Sequence, residues 1–173
     1  SGSRSPGPQF DVLQAAIDLS FRQWLSQRYK YLSTLSPQPP VMVHHIPRSL
    51  ARRIAPHTQD KIALLVMDGL ALDQWLTVRE SLLRQLPGVR FDENAVFAWI
   101  PTVTAVSRQA LFAGKSPLYF PDSIATTAQE AKLWSLFWED KGLLPPEIGY
   151  EKTLRTAADF GRVDQLLTRP KMR

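Results

Sequence analysis

Two short segments carry residues whose types and spacing could do chemistry: Asp68–Gly69, and residues 100–114, IPTVTAVSRQALFAG. Asp68 directly follows the apolar run at 62–67. In an open α/β sheet such a strand end is where ligands bind. A carboxylate there can coordinate a hard or borderline metal ion, or act as a nucleophile. Asp-Gly is also a common turn dipeptide, so the pair alone leaves a structural role open. Thr104 stands where a strand hands over to a helix, a natural N-cap position. Its hydroxyl would lie beside free backbone N–H groups at the positive helix end, a setting that binds phosphate. A threonine hydroxyl attacks poorly until a metal or base activates it. Thr104 is therefore a catalytic candidate beside Asp68, and a plain helix cap without it. Ser107 and Arg108, three and four residues on, share its helix face and could hold a phosphate oxygen. The alternative for both is a solvated face.

Other chemistry is thinly supplied. His44 and His45 are neighbours on a strand-like segment and would point to opposite faces, so they are expected to be structural, as is His57 in a polar loop. The aromatic stripe Trp134, Phe137 and Trp138 reads as core or as a docking surface. Neither GxxxxGK[ST] nor GxGxxG occurs.

The elements that must position these residues follow from periodicity. Residues 9–35 repeat Phe10, Leu13, Ile17, Phe21, Trp24 and Leu25 at helical spacing, predicting one long amphipathic helix that stops at SPQPP. A short strand at 41–46, a helical turn over 47–54 and a loop at 55–60 come next. The unbroken apolar run at 62–67 predicts a central strand buried on both faces. A helix from Leu72 to Leu86, a strand at 95–100, a helix from Thr104 capped by Gly114, and a helix at 127–140 follow. A short strand at 147–150 and a helix at 153–167 close the chain. Strands alternating with helices predict a mainly parallel sheet covered on both faces.

Composition limits the classes. The chain has 173 residues, the size of one domain, and contains no cysteine, which excludes disulfides and thiolate metal sites. Neither an apolar run of membrane-spanning length nor a signal-peptide core is present, so a cytoplasmic location is expected. Residues 1–8 read as a flexible leader or expression scar. A net charge of +5 permits nucleic-acid contact, but Arg52–Arg53 is the one adjacent basic pair, which favours an ordinary basic surface.

The stretches VHHIP, KIALLVMDGLALDQW, IPTVTAVSRQALFAGKSP and LWSLFWEDKGL resemble the PglZ family, a branch of the alkaline phosphatase superfamily found in phage-defence systems of the BREX type. The PT-x-T segment with a glycine ten positions later is also similar to the nucleophile motif of nucleotide pyrophosphatase/phosphodiesterases. The resemblance implies a three-layer α/β fold with a mainly parallel sheet, incomplete at the C-terminus. Its parts would be an N-terminal helix at 9–36 and a partial alkaline-phosphatase-like domain at 40–173. It implies Asp68 as first metal ligand, and Thr104 as bridging ligand and nucleophile on phosphorus. Ser107 stands where the pyrophosphatases carry an asparagine that helps hold the phosphate. The implied cofactor is a divalent ion such as zinc. The implied partners are a phosphoester or nucleotide-like substrate and other phage-defence proteins.

Later superfamily ligands, usually including an Asp-His-Gly-like stretch, do not occur here. One carboxylate and one threonine cannot clamp two ions about 4 Å apart, so the isolated chain is expected to lack efficient phosphatase activity. A non-catalytic docking module of a phage-defence complex is the alternative. A haloacid-dehalogenase-type aspartyl nucleophile fits less well, because the second Asp it requires is Leu70 here.

Overall fold

The computed structural model describes residues 7–54 and 61–173. Backbone contacts divide the chain into two units, Ser1–Ser36 and Pro37–Arg173. The first contains α1, Pro8–Leu32, with Pro8 at the first helical position, where its missing N–H costs nothing. Its apolar positions Phe10, Leu13, Ile17 and Phe21 are all exposed. The expected loop at 55–60 and His57 lie outside the described residues.

The second unit is built from α2 (Ile46–Ala51), α3 (Leu72–Gln85), α4 (Thr104–Ala113), α5 (Glu130–Glu139) and α6 (Ala157–Leu167), with short 3-10 turns before α2, between α4 and α5, and between α5 and α6. This corrects the expected three-layer α/β fold with a parallel sheet. Among the described residues no ladder forms, and the β-pairing is one parallel bridge, Met42 with Phe97. Phe97 donates its N–H to Val41 O at 2.8 Å, and Val43 donates to Phe97 O at 3.0 Å. The run at 62–67 forms neither helix nor strand, and it meets other backbone through a long Ile62 N–H to Arg173 O contact of 3.4 Å. Leu64 packs on the core, whereas Leu65 is 76% exposed and Met67 52% exposed. Apolar continuity reports fitness for burial on two faces, and here only one face meets a neighbour.

Two smaller expectations are corrected as well. Residues 43–45 form a 3-10 turn rather than a strand, which places the His44 and His45 rings in edge contact, centroids 4.2 Å apart, both buried. His45 Nδ1 accepts from the Val41 and Met42 N–H groups, at 3.3 Å each, so this histidine fastens its own turn. Residues 145–147 also form a 3-10 turn, where a strand was expected just after.

The core lies between α4 and α5. Phe112, Trp134, Phe137 and Trp138 are buried together, with Leu50, Ile54, Leu133 and Ile148 against them. Gly114 ends α4 in the left-handed region, φ 59°. A Cβ there would sit 2.6 Å from the Phe137 ring, so glycine is required by both backbone and packing.

Helix α6 begins with a capping box: Thr156 Oγ1 accepts from Asp159 N–H at 3.3 Å, and Asp159 Oδ2 accepts from Thr156 N–H at 2.7 Å. The Arg155 N–H, then the Thr156 hydroxyl and N–H, hold the Asp159 carboxyl well below the usual carboxylate range. A depressed folded value means stability present above the unfolded value of 3.8 and lost as pH falls through the folded one. Thr156→Ala should cost about 1 kcal/mol. Circular dichroism below pH 4 should show α6 fraying first, with the mutant already frayed at neutral pH.

Candidate functional site

The site grows from the first two turns of α4. Val103, in extended conformation (φ −87°, ψ 134°), is the N-cap, and no side chain caps this end. Thr104 is thus the first helical residue rather than the expected cap. The first intrahelical bond of this end is Ser107 N–H to Val103 O at 3.0 Å. The N–H groups before it point out of the helix end, as they must in any α-helix. Thr104 is exposed beside them, and its hydroxyl is not spent on capping.

Arg108, one turn further on, connects this helix to Asp68. Its Nη1 lies 3.8 Å from Asp68 Oδ2, while Nε and Nη2 donate to the two oxygens of Glu130, each at 2.7 Å. Asp68 is followed by Gly69 at φ 72°, a left-handed turn that redirects the chain after the apolar run. The Asp68 side chain is 48% exposed, and that of Arg108 is 24% exposed. The fold therefore brings Asp68 to Arg108 on α4, with Thr104 one turn before Arg108 and Ser107 half-buried beside it. An apolar groove of about 470 Å³, lined by Trp99, Val103, Val106 and Leu118 among others, flanks that turn.

Sequence reasoning missed Glu130 and Tyr150. Glu130, the first residue of α5, is fully buried; besides Arg108 it accepts the Tyr150 hydroxyl at 2.6 Å, and Lys152 Nζ lies 4.0 Å away. Hydrogen bonding to Glu130 raises the Arg108 pKa above its ordinary value, so its charge is fixed. Burial, reinforced by the Glu130 carboxylate, pushes the Tyr150 phenol well up, keeping it a neutral donor. A signal for Glu130 did exist. It precedes Trp134 by four residues and Phe137 by seven, which places a carboxylate on the buried face of an aromatic helix.

The metal expectation was tested on this donor set. A divalent ion takes at least four donors. At this end of α4 the chain offers the Asp68 carboxylate and the Thr104 hydroxyl, and Asp68 already faces a guanidinium. Among the described residues no cluster of three His, Cys, Asp or Glu side chains is placed to hold an ion. These residues do not by themselves fit a metal, and Asp68 is the one suited to supply a single ligand. The described residues likewise contain no helix long and apolar enough to cross a membrane.

Comparison with known proteins gives a family. No curated protein and no solved structure matches the chain significantly. The family model of the BREX system PglZ alkaline phosphatase-like domain matches residues 46–167, from α2 through the end of α6, with Asp68, Thr104, Ser107, Arg108, Glu130 and Tyr150 all inside the match. The chain therefore belongs to the PglZ family of BREX phage-defence proteins.

Proposed function

We propose that the chain carries the nucleophile side of a phosphoester-cleaving site in a BREX PglZ protein. The observation behind this reading is Arg108 Nη1 beside Asp68, one helical turn after Thr104 at an uncapped helix end. Thr104 Oγ1 attacks phosphorus as its proton passes to solvent, the ester bond breaks and the leaving oxygen takes up a proton from solvent, and the phosphoryl group stays on Thr104 until water releases it. Negative charge on the phosphoryl oxygens falls beside the α4 N–H groups and Arg108. In a PglZ protein whose other segments complete the donor set, Asp68 would be one ligand of a divalent ion such as zinc, which would supply the lowered pKa that a threonine hydroxyl needs. The apolar groove beside α4 gives the organic part of a phosphoester or nucleotide-like substrate a surface to rest on.

In a PglZ protein carrying this segment, Thr104→Ala should reduce cleavage of a generic phosphodiester to background, and Thr104→Ser should retain part of it. Equal rates in Thr104→Ala and the unmodified protein would remove Thr104 as nucleophile. The 173-residue chain alone, with one carboxylate at this end of α4, should show no metal-dependent turnover. Robust zinc-stimulated cleavage by it would overturn that expectation.

A second reading, a docking module for other phage-defence proteins, is favoured by the exposed apolar residues of α1. The Trp-rich helix is not available for that role, since Trp134 and Trp138 are buried. Leu13→Glu with Ile17→Glu should abolish co-purification of BREX components if α1 docks them, and unchanged co-purification would end this reading.

A further inference from the structure

We propose that Glu130, braced by Tyr150, is a positioning residue that fixes the Arg108 guanidinium so that its Nη1 end, and not its Nε–Nη2 edge, faces Asp68. The inference rests on the phosphoester reading for its consequence, but the geometry behind it is independent. A guanidinium has five N–H donors in a rigid fork, and its usual way of holding phosphate is bidentate. Here the Nε–Nη2 edge is engaged by both oxygens of Glu130 at 2.7 Å, so it cannot also grip a ligand. Three N–H groups remain, two on Nη1 and the second of Nη2, and they lie at the Nη1 end of the fork, where Asp68 Oδ2 is 3.8 Å from Nη1.

The brace is built from three elements. Glu130 opens α5 and Arg108 lies on α4. Tyr150 follows the 3-10 turn at 145–147 and packs its ring edge-on against Phe112, centroids 5.3 Å apart, one helical turn beyond Arg108. The Tyr150 hydroxyl donates to the Glu130 oxygen that Arg108 Nη2 also uses. Its backbone neighbour Gly149 is held by Trp134, whose Nε1–H donates to Gly149 O at 3.0 Å. The aromatic core thus sets the phenol, the phenol fixes the carboxylate, and the carboxylate orients the guanidinium. A buried carboxylate has every reason to stay in this arrangement, because losing its donors leaves it uncompensated. The ligand it prepares for is a phosphoryl group met by the Nη1 end of Arg108 and by the α4 N-terminus.

The test uses the 173-residue chain with inorganic phosphate as probe, following the Arg108 Nε–H resonance by ¹H–¹⁵N NMR, assigned by its loss in Arg108→Lys. In the unmodified chain this resonance should be sharp, shifted downfield and slow to exchange. Glu130→Gln should broaden it and weaken phosphate affinity about tenfold, the scale of one charge-assisted hydrogen bond. Tyr150→Phe, which keeps the ring against Phe112, should weaken affinity about threefold. On the Arg108→Lys background, Glu130→Gln should weaken affinity no further. If Glu130→Gln fails to fold, Tyr150→Phe carries the test. A Glu130→Gln or Tyr150→Phe chain with unchanged affinity and an unchanged Arg108 resonance, alongside weakened binding in Arg108→Lys, overturns the positioning role and leaves the phosphoester reading standing. A resonance that depends on Glu130 in a chain indifferent to phosphate supports the positioning role and removes the phosphate reading.

Discussion

Glu130→Ala should destabilise the second unit by about 3 kcal/mol, at the low end of what breaking a buried ion pair costs, because Arg108 keeps some access to water. The substitution removes two hydrogen bonds to Arg108 and the acceptor of the Tyr150 hydroxyl, so a guanidinium and a phenol lose partners together. Urea denaturation followed by tryptophan fluorescence reads the loss directly, since Trp134 lies one turn from Glu130 on α5. Arg108→Met should cost a comparable amount, because it strands the carboxylate instead. Glu130→Leu combined with Arg108→Met should recover a large part of either loss, as apolar replacement of a whole buried pair often does. If the double variant were as unstable as the sum of the singles, the pair would not be coupled, and the network would be a coincidence of packing. The same double variant should bind phosphate no better than Arg108→Met alone, which separates the stability role of the network from its place in the site.

What could be read in advance was whatever depends on neighbours along the chain. Gly114 as the end of α4 followed from a glycine placed after a periodic run, and its φ of 59° is the reason glycine stands there. Helices α1, α3 and α5 were legible from apolar spacing, with ends shifted by a few residues. Thr104 came out one position inside the helix rather than at its cap. That shift matters chemically, because a capping hydroxyl would be tied to a backbone N–H. What could not be read was whatever depends on partners elsewhere. The run at 62–67 has the composition of a central strand, but a strand exists only through a ladder, and among the described residues its backbone finds none. Asp68 accordingly follows an irregular segment rather than a sheet edge, beside the Gly69 turn and with Arg108 Nη1 3.8 Å away. Glu130 escaped notice for a related reason. Attention to the aromatic residues of α5 treated them as a stripe, although the same stripe, extended back one turn, contains the buried carboxylate.

Trp138→Ala should cost about 4 kcal/mol, the range for removing a large aromatic side chain from a packed core. Trp138 is 4% exposed and meets two rings edge-to-face, Trp134 at 5.3 Å and Phe137 at 5.1 Å. Edge-to-face pairs add to the burial energy, so its loss removes more than area. The cavity has little freedom to collapse. Phe137 on one side is pressed against Gly114, where even a Cβ would stand 2.6 Å from its ring, and Trp134 on the other is pinned by its bond to Gly149 O. Leu136→Ala, on the same helix but 51% exposed, should change stability by less than about 0.5 kcal/mol and serves as the control. Thermal melts of the two variants decide whether the aromatic helix is core or surface: a near-normal melt for Trp138→Ala would return it to the list of docking surfaces. The expected loss has a consequence at the site as well. Because Trp134 and Phe112 set the position of Tyr150, loosening their neighbour should also broaden the Arg108 Nε–H resonance in the fraction that remains folded. Leu136→Ala should leave that resonance unchanged.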